Sequence, residues 1–465
     1  MSVKRLHAFG DDALGEYDGV ALAAMVRSGV ASAAELADAA TARAGLVAEL
    51  GAVAHTPPPH ARPTGATAGR LAGVPTFLKD NTDIAGMPSN HGSEAFSGRV
   101  AKKNGRYTEQ FVASGMTVLG KSQMPEFGFN ASTEFMTGAP TRNPWNTDHS
   151  VGASSGGAAS LVAAGVVPLA HANDGGGSIR IPAACAGLVG LKPSRGRHLD
   201  GETARIMPVN IVSEGVVSRT VRDTAAFVAA MEDHWSNPKL PRVGLVEGPS
   251  DRKLRIGLVL ESVNGVAIDA QTRTAVEETA TLLEKLGHRV EASPLPVDAR
   301  FADDFALYWA MLAKLASATG SITFGRPFDK GKLDGLTVGL KQHFVRNAHH
   351  MPGALRRLRG VQSTYAASMQ GYDAVLSPVL AHVTPELGHL APTQSFEDLM
   401  RRLLDYVTFT PLHNVAGSPG ISVPAGLAAE GVPIGVHLSG QHGGEATLLE
   451  LAYALEAERP FPRIS

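Results

Sequence analysis

Apolar positions along the chain change their spacing in an order that predicts alternating helices and strands. Asp18 precedes an apolar-periodic stretch through Met25, and Ser32 with Glu35 three residues on forms a capping box, so two helices are expected, the second running to about Leu50. Pro57, Pro58, Pro59 and Pro63 then predict a stiff linker that ends where Val74, Phe77 and Leu78 begin a strand-like run. From residue 71 to about 196 the chain is Gly-rich and alternates short apolar runs with turns, the pattern of a segment that carries chemistry. Beyond Ser213 the pattern is ordinary α/β. Residues 254–260 read as a buried strand and 271–286 as a helix with Gly287 at its C-cap. Residues 300–370 are mostly helical in pattern and hold Phe301, Phe305, Tyr308, Trp309 and Phe324, which read as core side chains. Residues 374–376 and 420–423 are further strands, and 445–456 a last helix.

Composition narrows the class. The 465 residues are 44% hydrophobic and 18% charged with a formal net charge of −2, which suits a globular chain and gives no electrostatic reason to expect nucleic acid or an anionic membrane as partner. Small, weakly charged ligands fit better. The single cysteine, Cys185, excludes an intrachain disulfide and a cysteine-based metal cluster. Lys4 and Arg5 are followed by Asp11 and Asp12 with no apolar region between, and the uncharged stretch 150–173 is broken by glycines, Pro168 and serines. Neither reads as a secretory signal or a membrane span, so a cytoplasmic protein is expected.

Two short motifs invite readings that their context opposes. Residues 115–122 match the Walker A pattern, which would make this a nucleotide-binding protein. Their middle, Met116 to Leu119, is itself strand-like, and such a strand leaves no free amides to wrap a phosphate. Residues 152–156 fit G-x-S-x-G, a nucleophile elbow at Ser154, yet the preceding residues 142–149 are turn chemistry rather than a buried strand. No HExxH occurs, and His349 and His350 lie among arginines as on a solvated helix face, so no metal and no cofactor are expected.

Three segments together carry more. LAGVPTFLKDNTDIAGMPSNHGS (71–93) sets Lys79 at the end of an apolar strand, NPWNTDHSVGASSGGAAS (143–160) holds Ser154 and Ser155 between glycines, and HANDGGGSIRIPAACAGLVGLKPSRGR (171–197) sets Ser178 after three glycines. With FTPLHNVAGSPGISVPAG (409–426) and GVPIGVHLSG (431–440), they resemble the amidase signature family over nearly the whole chain. The ANDGGGSIRIPA variant is most similar to bacterial general amidases and to relatives that hydrolyse cyclic nylon-oligomer amides. The residues read alone agree with this. Gly175, Gly176 and Gly177 lack side chains, so their N–H groups can converge on one point as an oxyanion hole, with a helix starting near Ile179.

The resemblance implies a single α/β domain over 1–465, a mixed sheet covered by helices. Within it, 1–70 supplies N-terminal helices and the Pro-rich linker, 71–215 the catalytic core, and 300–400 a mostly helical substrate side. It implies that Ser178 is the acyl-forming nucleophile, Ser154 the bridging serine and Lys79 the base, with Ser155, Asp174 and Arg180 supporting the loop. A lysine serves as base only when burial lowers its pKa, and a histidine such as His149 or His171 is the fallback. Phe127, Phe129 and Asn130 are the pocket candidates. Ala153, Val151, Asn173 and His437 replace a usual glycine, proline, threonine and glutamine, which touches loop shape and substrate rather than reaction type. The expected partner is a small-molecule amide, and a homodimer is compatible with the family. Rival readings are the glutaminase subunit of a tRNA-dependent amidotransferase and a non-catalytic binding protein that kept the fold.

Overall fold

The computed structural model describes residues 3–57, 68–202, 204–324 and 327–464. Asp18 accepts a hydrogen bond from Ala21 N (2.9 Å) and opens the helix Gly19–Ser28. Ser32 and Glu35 make the reciprocal box, Ser32 Oγ accepting from Glu35 N at 3.1 Å and Glu35 Oε2 from Ser32 N at 2.7 Å, at the start of Ala33–Leu46. That helix stops before Leu50: Ala48–Leu50 is a tighter 3₁₀ turn closed by Gly51, whose positive φ of 61° no longer fits a helix. Most of the expected proline linker, residues 58–67, lies outside the described residues.

The strands fall into three sheets. β1 (Val53–His55), β2 (Pro75–Lys79) and β3 (Thr117–Ser122) form a small sheet in the order β1-β3-β2. β4 (Arg142–Asn143) and β5 (Asn146–Ser150) form a hairpin where the sequence reads as turns, because Pro144 and Trp145 make a corner tight enough for the flanks to pair. The large mixed sheet holds β6 (Leu169–Asp174), β7 (Val189–Lys192), β8 (Ser213–Ser218), β9 (Arg255–Leu258), β10 (Arg289–Ala292), β11 (Ala374–Pro378), β12 (Gly420–Leu427) and β13 (Pro433–Gly440), in the order β10-β9-β11-β13-β12-β7-β8-β6. Helices cover it, among them Val221–His234, Ala270–Lys285 and Glu445–Glu458, whose apolar faces bury Val276, Leu283, Leu448 and Leu455 in the core beside β11, β12 and β13. The 300–370 region forms Arg300–Thr323, Gly335–Asn347 and Met351–Ser368.

One junction between sheets positions the chemistry. β2 lies beside the edge strand β6 and is tied to it by side chains: Thr76 Oγ1 donates to Leu169 O at 3.0 Å, and Lys79 N donates to His171 Nδ1 at 3.1 Å. The C-terminal ends of β2 and β6 therefore meet, placing Lys79 next to Asn173 and Asp174.

The Walker-like segment is β3 itself, buried along its whole length. Lys121 Nζ donates to Thr82 O (2.6 Å) and Ser89 Oγ (2.9 Å), so the lysine that a phosphate loop would offer is committed inside the fold. Among the described residues no group of three or more His, Cys, Asp or Glu could hold a metal ion, and no helix is long and apolar enough to cross a membrane.

Candidate active site

Lys79 ends β2 with its side chain fully buried, and its Nζ donates to Ser154 Oγ at 2.7 Å and to Asn173 Oδ1 at 2.7 Å. Among the described residues no carboxylate touches the amine, so neither Asp80 nor Asp83 neutralises it at contact range. Asp80 accepts backbone N–H groups of Asn90 and Gly92, and Asp83 takes the Ser89 hydroxyl. Burial pushes the Lys79 pKa down to about 7 against the opposing pull of Glu214 and Asp174.

Ser154 precedes the helix Gly156–Ala163, and the Ala153–Ser154 peptide is cis. Its hydroxyl sits under Gly128, where an added Cβ would lie 3.0 Å from Ser154 Oγ; Gly128 also has φ +75°, so side chains are excluded there twice over. Ser155 donates to Asn173 O at 3.3 Å. Ser178 follows β6 and its glycine loop, is 7% exposed, and lines a cavity together with Gly176.

The loop between β6 and the helix Arg180–Ala186 wraps around one carboxylate. Asp174 Oδ1 accepts from Gly177 N (2.7 Å), Arg180 Nη2 (2.9 Å) and Asn414 Nδ2 (2.8 Å), while Oδ2 accepts from Ile179 N (3.1 Å) and Arg180 Nε (2.9 Å). Burial pushes the Asp174 carboxyl up, but the Arg180 charge and its hydrogen bonds outweigh this and hold it well below the usual carboxylate range. Gly177 spends its N–H on Asp174, and it is glycine because φ is +135° and a Cβ would strike Thr410 Oγ1 and Ile181. The N–H groups of Gly175, Gly176 and Ser178 have no partner among the described residues. Thr410 donates to Gly176 O at 2.6 Å, and Asn414 Nδ2 also reaches Asp174 O at 2.8 Å.

Of the two fallback histidines, His171 is engaged at both ring nitrogens. His171 Nδ1 takes the Lys79 backbone N–H and its Nε2 lies 3.0 Å from Glu214 Oε2, which fixes it as a strut between strands. His149 sits on β5, where its backbone pairs with that of Glu386, and its buried Nδ1 has no partner among the described residues.

A cavity of about 620 Å³, counting its mouth, opens beside Ser178. Of the three pocket candidates, Phe129 and Asn130 line it and Phe127 does not. Phe127 turns away, with φ +50°, into an aromatic cluster with Phe96 and Phe324. Asn130 offers little to a ligand, since Nδ2 donates to Leu390 O (2.7 Å) and Oδ1 accepts from Ala131 N (2.8 Å). Phe305 and Trp309, read from sequence as core, instead form the wall: their rings stack at 5.5 Å and cover Gly175 and Gly176. Trp309 Nε1 donates to Phe129 O at 3.1 Å, which holds the indole in place. Sequence reasoning also gave no role to Thr410 or Asn414, although both stand in the quoted 409–426 segment as polar residues within an apolar run.

A sequence model of the Amidase family matches residues 32–449. The chain is 50% identical over 468 residues to the putative amidase AmiC of Mycobacterium leprae, covering 99% of each chain. It is 33% identical over 476 residues to the 6-aminohexanoate-cyclic-dimer hydrolase of Paenarthrobacter ureafaciens, covering 96% of this chain and 95% of the relative. The solved structure of 6-aminohexanoate cyclic dimer hydrolase matches with a TM-score of 0.84 at 29% identity, over 97% of this chain and 98% of that one. The fold, a mixed sheet under helices, is thus shared with that hydrolase. The chain belongs to the amidase family and is itself an amide hydrolase.

Proposed function

We propose that this enzyme hydrolyses neutral carboxamides carrying an apolar acyl group, through an acyl-enzyme on Ser178. The observation that carries the reading is the 2.7 Å hydrogen bond between Lys79 Nζ and Ser154 Oγ in a fully buried setting, beside a cavity whose wall includes Ser178. A serine hydroxyl needs a proton acceptor to attack. Ser178 Oγ bonds to the amide carbon as its proton passes to Ser154, and the Ser154 proton passes to Lys79, which becomes an ammonium. The same relay in reverse protonates the leaving nitrogen as the C–N bond breaks, releasing ammonia or an amine. Water then repeats the attack on the acyl carbon, its proton taking the same path, and the carboxylic acid leaves as Ser178 recovers its hydrogen from the relay; the acid then gives up its own proton to solvent and becomes carboxylate. The unpartnered N–H groups of Gly175 and Gly176 are suited to the oxyanion of both steps.

Substrate class follows from the wall. Ile181, Phe305, Trp309, Leu336, Leu340 and Leu403 line the cavity, and none of the lining side chains is ionisable. A charged amino-acid head would lose its water there without a compensating partner, which argues against glutamine as substrate.

The test is Ser178→Ala, expected to abolish hydrolysis and labelling by a serine-directed phosphonate. Ser154→Ala is expected to lose most activity yet still label slowly at Ser178. A labelled peptide containing Ser154 in place of Ser178 overturns the assignment.

A further inference from the structure

A neutral primary amine carries two N–H groups and one lone pair, and only the lone pair can take a proton. Burial alone does not decide which way that lone pair points. Three oxygens surround Lys79 Nζ: Ser154 Oγ at 2.7 Å, Asn173 Oδ1 at 2.7 Å and the Asn173 carbonyl at 3.4 Å. Both Asn173 oxygens can only accept, whereas the hydroxyl can donate. The neutral amine is satisfied on all sides in one arrangement: two N–H groups toward Asn173 and the lone pair toward the Ser154 hydroxyl.

The amide of Asn173 is itself held. Its Nδ2 donates to Asn81 Oδ1 at 3.2 Å, and Asn81 Nδ2 reaches back to Asn173 Oδ1 at 3.5 Å. Thr82 Oγ1 adds a donor to Asn81 Oδ1 at 3.4 Å. A flipped Asn173 amide would set N–H against N–H at Lys79 and lose the Asn81 bond, so the network admits one orientation. The two asparagines come from the residues just after β2 and from the end of β6, the same junction that brings Lys79 to the serines.

We propose that Asn173, braced by Asn81, is a positioning residue that aims the Lys79 lone pair at Ser154. The inference rests on the reading of Lys79 as base and Ser154 as relay. The other titratable groups facing Lys79 are Asp174 and His171 on β6 and Glu214 on β8, and none of these has a hydrogen bond to Nζ; Lys121 on β3 pairs in register with Leu78 and points to the other face.

The test is the pH dependence of kcat/KM. Asn173→Asp sets a carboxylate against Nζ, which favours the ammonium, so the ascending limb is expected to move up by about one pH unit or more and the rate at neutral pH to fall roughly tenfold. Asn173→Leu removes the side-chain acceptor and is expected to lower kcat about tenfold or more with KM within about twofold, because the cavity wall is untouched. An Asn173→Asp enzyme with the wild-type limb overturns the proposal. If the buried carboxylate prevents folding, Asn81→Asp carries the same charge at a half-buried position, and an unmoved limb there counts equally against it. Lys79→Met separates the two layers. An active Lys79→Met enzyme defeats the underlying mechanism, whereas an inactive one beside an unshifted Asn173→Asp profile defeats only the role given to Asn173.

Discussion

The hydroxyl of Thr410 donates to the carbonyl of Gly176 at 2.6 Å, while the N–H of the same peptide, at Gly177, donates to Asp174 at 2.7 Å. One peptide plane is thereby pinned at both ends, from the short helix Pro411–Ala416 on one side and from the loop's own carboxylate on the other. The neighbouring N–H of Gly176 keeps its direction only while this plane does. Thr410→Val keeps the shape and deletes the donor, so kcat should fall about fivefold with KM little changed, since one neutral hydrogen bond is worth about 1 kcal/mol. Steady-state kinetics on a single amide checks it, and an unchanged kcat removes Thr410 from the support of the loop.

The pH profile follows from Lys79, whose pKa burial pushes down to about 7. In the proposed mechanism the neutral amine takes the proton, so kcat/KM should rise as pH passes upward through about 7 and level off on the alkaline side. Lys79→Arg keeps a cation that does not deprotonate in this range, and its activity should be nearly abolished at every pH. Retention of most of the wild-type rate with the same ascending limb would remove Lys79 from the reaction.

Asp174 and Arg180 are both fully buried and joined through two pairs of atoms. Removing one partner strands the other, so Asp174→Ala should cost on the order of 3–5 kcal/mol of stability, read as a lower denaturant midpoint. The sign with pH is fixed as well. A carboxyl held below its ordinary range stabilises the fold above the unfolded pKa and loses that contribution as pH falls through the native value. The wild-type midpoint should therefore drop steeply below about pH 4, and Arg180→Met should blunt that drop.

How far the chain could be read beforehand depended on what each residue's role required. The capping box at Ser32 and Glu35, the strand ending at Lys79 and the serines between glycines are local features, and local periodicity is enough to place them. Three glycines are equivalent in a sequence; only the position of the Asp174 carboxylate distinguishes the N–H of Gly177 from its neighbours. Phe305 and Trp309 show the matching difficulty for pocket walls. An apolar helix face looks the same whether it meets the core or a cavity, and the sequence does not record that Gly175 and Gly176 lie opposite it. Asn173 was visible only as a departure from a usual threonine, since the partner that gives it meaning lies on another strand.

The cavity wall predicts a substrate ranking. Neutral aliphatic or aryl amides should exceed glutamine in kcat/KM by about a thousandfold or more, as an uncompensated buried charge costs several kcal/mol. Trp309→Ala should raise KM for the larger amides and narrow that gap by removing the stacked partner of Phe305. Release of ammonia and of amine, measured separately over such a panel, decides the point; efficient glutamine hydrolysis would contradict it.

Asn414 reaches Asp174 across 240 positions of chain, and Thr410 reaches Gly176 across 234. The loop that carries Ser178 is thus built from two parts of the polypeptide that leave the ribosome far apart in time. A growing chain can already contain Lys79, Ser154 and Ser178 and still lack the clamp that orders the glycines. Catalytic competence should arrive late and all at once, when the last part of the chain docks. The same dependence makes the protein a natural candidate for a split reporter, with two silent fragments divided upstream of residue 405 that regain hydrolysis only when brought together.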